Sequence, residues 1–92
     1  SNVVDVETLD IPISLYPNPT ADNVYVDVST LLGQELTLSL ISPNSVLLVS
    51  DFYKKNHTNI LELNLSSYPP GVYLISITSE NGNVSVKKVV RT

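Results

Sequence analysis

Four stretches of this chain alternate apolar and polar or outward residues with a period of two. Val24, Val26 and Val28 interleave with Tyr25, Asp27 and Ser29, and Leu36, Leu38 and Leu40 with Thr37 and Ser39. Leu61, Leu63 and Leu65 interleave with Glu62 and Asn64, while Tyr73, Ile75 and Ile77 share one face. A period of two puts alternate side chains on opposite faces of an extended chain, so each stretch predicts a strand with one buried face. No stretch carries the 3.6-residue period of an amphipathic helix.

The segments between these runs are turn-rich. Leu15-Tyr16-Pro17-Asn18-Pro19-Thr20 holds two prolines one residue apart. Each proline fixes its own φ and removes a donor, and each biases the preceding residue toward extended geometry. A first strand over residues 11–16, interrupted by Pro12, is therefore expected to stop and turn there. Ser42-Pro43-Asn44-Ser45 is a second turn, and Ser66-Ser67-Tyr68-Pro69-Pro70-Gly71 a proline-rich corner. Asn81-Gly82 predicts a type I′ hairpin between the strand at 72–78 and a last strand at 84–90. Residues 46–52 are apolar on both faces, which leaves their orientation open. The last strand has a phase conflict: Val84 and Val86 share a face whose continuation would bury Lys88, whereas Val89 belongs to the other face. A bulge near Lys87-Lys88, or a strand that leaves the sheet there, would relieve it.

Seven short strands with polar turns specify an all-β chain. The expected architecture is a seven-stranded antiparallel immunoglobulin-like β-sandwich. The chain of 92 residues makes one domain at 11–92, preceded by an acidic linker at 1–10. Cysteine is absent, so disulfides and thiolate metal sites are excluded. No apolar run reaches the roughly 20 residues that span a bilayer as a helix. Nothing at the start reads as a secretory signal, so an exported parent would need one upstream. The net charge of −4 is unevenly spread. Residues 1–46 hold Asp5, Glu7, Asp10, Asp22, Asp27 and Glu35 and no base, while Lys54, Lys55, Lys87, Lys88 and Arg91 all come later. An acidic chain is a poor partner for nucleic acid.

Catalysis needs converging titratable groups, and this sequence offers few. His57 is the one histidine and lies in the polar stretch 51–59. No serine sits in a nucleophile elbow. Asp5, Glu7 and Asp10 lack the spacing of a calcium loop. No enzyme activity, metal or cofactor is expected. Without tryptophan, a carbohydrate platform would fall to the tyrosines. Tyr25 reads as exposed and Tyr73 as core, with Tyr16, Tyr53 and Tyr68 at strand ends. Asn56, Asn64 and Asn83 head N-x-S/T sequons, which a chain this rich in Asn, Ser and Thr produces by chance.

Three motifs in register point further. Tyr16-Pro17-Asn18-Pro19 precedes the alternating Val24-Tyr25-Val26; Tyr68-Pro69-Pro70-Gly71-Val72-Tyr73 follows in the second half; Gly82-Asn83-Val84-Ser85-Val86-Lys87-Lys88-Val89-Val90-Arg91 closes the chain. Over residues 13–92 the order and spacing closely resemble the C-terminal sorting domain of the type IX secretion system of Bacteroidetes. That family is marked by a YPNP-type start, a G-x-Y strand and a lysine-containing last strand.

The resemblance implies a recognition module and not an enzyme. It implies a cargo that crosses the inner membrane, passes the periplasm and is directed through an outer-membrane translocon. A cell-surface sortase commonly removes such a domain, leaving cargo attached to the surface or released. By position, Gly82, Lys87, Lys88, Val89, Val90 and Arg91 would be read by translocon and sortase. Tyr16, Pro17, Asn18, Pro19, Gly71 and Tyr73 match structural positions, Gly71 being able to take a positive φ after its prolines. Cleavage would fall within residues 1–10. The implied partners are the translocon, the sortase and attachment complex and the upstream cargo, with no nucleic acid and no small-molecule substrate. The alternative is an accessory sandwich for adhesion or carbohydrate binding.

Overall fold

The alternating runs form the centre of two packed sheets. The computed structural model describes residues 13–92, so the linker at 1–10 and the first residues of the expected opening strand lie outside the described part. Its strands are β1 (Ser14–Tyr16), β2 (Asn23–Asp27), β3 (Leu36–Ile41), β4 (Leu47–Tyr53), β5 (Ile60–Asn64), β6 (Gly71–Ser79) and β7 (Val84–Arg91). One sheet has the order β1-β2-β5 and the other β4-β3-β6-β7, and every strand pairing within them is antiparallel.

The buried residues are those the period selects. Val24 and Val26 from the first sheet, with Val28 just past its end, meet Leu36, Leu38, Leu40, Tyr73, Ile75 and Ile77 from the second, with Leu61, Leu63, Leu65 and Val89 completing the core. Burying a side chain of this size contributes about 1.5–3 kcal/mol, so the interior that joins the sheets is the main source of stability.

Four expectations are corrected by the structure. The second strand ends at Asp27 and not at Ser29. The Asp27 carboxylate accepts the Ser29 amide at 3.0 Å, and the chain winds into a 3-10 turn, Ser29–Leu31, that drops Leu31 into the core. That hydrogen bond also holds the Asp27 carboxyl below its ordinary pKa.

The hairpin at Asn81-Gly82 is not type I′, which needs a positive φ at both central residues. Gly82 has φ +85°, but Asn81 stays in the ordinary region. The Gly82 amide donates to Ser79 O at 3.0 Å and the Ser79 amide to Asn83 O at 2.8 Å. This is a type I turn closed by a left-handed residue. Ser79 Oγ, 2.6 Å from Asn81 Oδ1, holds the asparagine side chain inside the turn.

β7 needs neither a bulge nor an early exit, because its register with β6 runs unbroken from Thr78↔Val84 to Gly71↔Arg91. The phase conflict disappears because the valines face outward: Val84 and Val86 are 45% and 53% exposed, while Ser85 and Val89 are buried. Gly71 does not have a positive φ. It opens β6 opposite Arg91, and a Cβ there would come within 3.1 Å of the Pro43 ring. Close packing, not backbone freedom, calls for glycine.

β4 resolves its two apolar faces by being an edge strand. Leu47 and Phe52 are exposed, while Leu48, Val49 and Tyr53 pack partly against the core. A register shift against Leu40/Ile41 accommodates the change of face.

The turn at 42–45 repeats the geometry of the Gly82 turn, but Ser45, not glycine, takes the left-handed position, at φ +67°. The Ser45 amide donates to Ser42 O at 2.9 Å and the Ser42 amide to Val46 O at 2.8 Å. A side chain in that region costs about 1–2 kcal/mol, and glycine returns part of that as unfolded-state entropy, about 0.5–1 kcal/mol. Ser45→Gly is therefore expected to stabilise the domain by about 0.5–1 kcal/mol and to raise its melting temperature by a few degrees. A lowered thermal midpoint would contradict this account of the turn.

Candidate functional site

The terminal strand carries the residues that the sequence motif singles out. Their side chains divide between the two faces of the second sheet. Val84, Val86, Lys88 and Val90 point to the outer face; Ser85, Lys87, Val89 and Arg91 point toward the sandwich interior or its rim. Val89 is fully buried opposite Tyr73. Lys87 is half-buried and Lys88 exposed. Neither amine has a hydrogen-bond or ion-pair partner among the described residues.

Arg91 is engaged. Its Nε donates to Leu65 O at 3.1 Å, one terminal nitrogen donates to Ser66 O at 3.2 Å, and the other donates to Thr92 O. A guanidinium presents its donors in a fixed fork, and here that fork ties the end of β7 to the corner after β5. Gly82 lies in the hairpin that starts the strand and is exposed.

Tyr16-Pro17-Asn18-Pro19 reaches the same strand from the other end of the sequence. Both Tyr16–Pro17 and Asn18–Pro19 peptide bonds are cis. The Asn18 carboxamide acts as a side-chain surrogate for a paired strand: its Nδ2 donates to Lys88 O at 2.9 Å, and its Oδ1 accepts the Val90 amide at 2.9 Å. Thr20 then forms a parallel bridge to Arg91. The Thr20 amide donates to Val90 O at 2.8 Å, and the Thr92 amide donates to Thr20 O at 2.9 Å. The opening and closing motifs, seventy residues apart, are one structural unit. Sequence pattern could not couple them, because an asparagine between prolines signals a turn whatever it touches.

Tyr73 is buried and donates its hydroxyl to Pro69 O at 2.5 Å, with the Tyr68 ring 6.1 Å away. Tyr25, expected to be exposed, is half-buried beside Tyr16, ring centroids 5.8 Å apart. Burial and the nearby Asp51 charge raise the Tyr53 pKa. His57 is exposed, and among the described residues no three His, Cys, Asp or Glu side chains gather as metal ligands would.

Asn56 is buried, with its backbone bonded both ways to Gly33 and Gln34 and its Nδ2 donating to Thr58 O. The asparagine of this sequon is thus buried in the loop, while His57 and Thr58 are exposed. Nothing in the sequence marks this burial, because the polarity of the stretch suggests exposure.

The family described as the secretion system C-terminal sorting domain matches residues 14–91. The chain belongs to that family. No curated protein matches it in sequence. The matched span runs from the first residue of β1 to the last residue of β7, so it takes in the two joined motifs and everything they enclose. A sorting domain of this family is the C-terminal signal of type IX secretion, a tag that directs its parent across the outer membrane to the cell surface or the medium. The sandwich, with the YPNP segment packed on β7, is the physical form of that tag in this chain.

Proposed function

We propose that the secretion machinery reads this sorting domain through its terminal strand. The contact would centre on Lys87 and Lys88, with Gly82 setting the hairpin and Val89, Val90 and Arg91 holding the strand in place. The observation that carries the proposal is the two adjacent amines on opposite faces of one edge strand, neither of them neutralised by a described residue. Unpaired surface charge of this kind steers encounter and selects an acidic partner more than it stabilises the fold.

The partners we propose are the outer-membrane translocon and then a surface sortase, after the cargo has passed the periplasm. The sortase would cut the chain within residues 1–10, ahead of the folded tag. The domain acts as a ligand and a substrate, with no catalytic group of its own.

A reporter fused ahead of residues 1–92 in a type IX-competent host tests this. Lys87→Ala combined with Lys88→Ala is expected to lower surface delivery about tenfold, the equivalent of about 1.4 kcal/mol, with the domain still folded. Mass spectrometry of delivered reporter should find its new end within residues 1–10. Undiminished delivery by a folded double variant would refute the role of the lysines.

A further inference from the structure

We infer that the first half of β7, Val84–Lys88, is a strand-addition site, and that its occupant is an extended strand of the secretion machinery. This rests on the terminal strand being what the machinery reads.

The backbone divides β7 into a sealed half and an open half. Asn83 O accepts from Ser79, so odd-numbered residues of this hairpin turn their amides and carbonyls toward β6. Even-numbered residues turn theirs outward. From the Lys88 carbonyl onward these outward groups are satisfied: Lys88 O and Val90 N by the Asn18 carboxamide, Val90 O and Thr92 N by the backbone of Thr20. Before that point they are not. The N–H and C=O of Val84 and of Val86, and the N–H of Lys88, have no partner among the described residues. β7 is the last strand of its sheet, so nothing described lies beside them.

An open run of five residues spans about 17 Å, the length of one ordinary strand. Exposed edges of this kind are templates for another extended chain, and domains that must avoid pairing cover them. Here the cover stops at Asn18 and leaves the rest available.

The side chains specify the visitor. Val84 and Val86 are exposed on the outer face and would flank apolar residues at alternate positions of an added strand. Lys87 and Lys88 lie on opposite faces, so the added strand would carry acidic residues at two consecutive positions, one per face. Backbone bonds would supply affinity and these flanking contacts would supply selection.

The test compares reporter delivery for wild type, for a fusion lacking residues 14–92, for Val86→Pro and for Val86→Thr. Proline deletes the outward N–H and its ring obstructs an incoming strand, yet it removes no bond to β6. Val86→Pro is expected to deliver at least tenfold less reporter, with a melting temperature within a few degrees of wild type. Val86→Thr keeps the edge and should deliver like wild type. If Val86→Pro does not fold, Val84→Pro replaces it, at the first strand position, where proline is best tolerated.

Normal delivery by a folded proline variant overturns the inference and leaves the sorting role intact. Equal loss in Val86→Thr also overturns it, since the side chain and not the backbone edge would then be read. A purified domain that sediments as a dimer, and as a monomer once the proline is present, would assign the edge to a second copy and overturn it. Normal delivery without residues 14–92 would instead remove the sorting role on which the inference stands.

Discussion

Deletion of Val89–Thr92 is expected to unfold the domain, not merely to blunt its recognition. Val89 is fully buried in the core. Removing it forfeits about 1.5–3 kcal/mol of burial and leaves a void opposite Tyr73. The deletion also strips Arg91 from the carbonyls of Leu65 and Ser66, and removes the Val90 amide that Asn18 accepts from and the Val90 carbonyl and Thr92 amide that Thr20 engages. Each such bond contributes about 0.5–1.5 kcal/mol, and buried partners left unmade cost more. The combined loss, at least about 4 kcal/mol before the pairings of Val89 and Arg91 with β6 are counted, approaches the lower end of the about 5–15 kcal/mol that holds a domain folded.

Circular dichroism should show the truncated protein melting at or near room temperature. A cooperative melt within a few degrees of wild type would contradict this. The double alanine variant at Lys87 and Lys88 should melt normally, because neither amine has a partner to lose among the described residues. Lost export in a truncation thus measures folding, while lost export in the lysine variant measures reading.

Tyr73→Ala should be the most damaging single substitution. The ring is the largest buried side chain and sits between the sheets opposite Val89. Aromatic-to-alanine changes in a core cost about 3–5 kcal/mol. The hydroxyl adds a separable part. It donates to Pro69 O and so pins the proline-rich corner to β6. Tyr73→Phe keeps the ring and leaves that carbonyl without its donor, for a loss of about 1–2 kcal/mol. Urea denaturation should show both variants with lowered midpoints and the slope of wild type. If phenylalanine proved as costly as alanine, the hydroxyl and not the packing would be the dominant contribution, contrary to the burial.

The central strands were legible because each has one face in the core and one that is polar or half-exposed. Val24, Val26 and Val28, or Leu36, Leu38 and Leu40, can be assigned to the interior from spacing alone, and all are buried. The edge strands β4 and β7 were not legible in this way. Val84, Val86, Leu47 and Phe52 are apolar yet exposed, and hydrophobicity then no longer marks the inside. The turn at Gly82 departs from the sequence reading because Asn-Gly states only a preference; here Gly82 alone takes the positive φ, and a Ser79–Asn81 side-chain contact lies within the turn. At the terminal strand the motif residues were recognisable, but their division of labour was not. Nothing local to Arg91 says that its guanidinium meets Leu65 and Ser66, and nothing local to Asn18 says that its carboxamide lies against β7. Both are contacts between distant parts of the chain, and a periodic pattern carries no information about them.

The binding of β7 by Asn18, Thr20 and the corner after β5 also has a consequence in time. Ribosomes deliver a chain from its first residue to its last, and β7 is the last of the seven strands to emerge. Until Val89 and Arg91 are made, the core has a gap and the opening motif has nothing to grip. A translation product that stops short of them therefore lacks a finished domain. The sandwich can therefore close its core only once its last strand has been made.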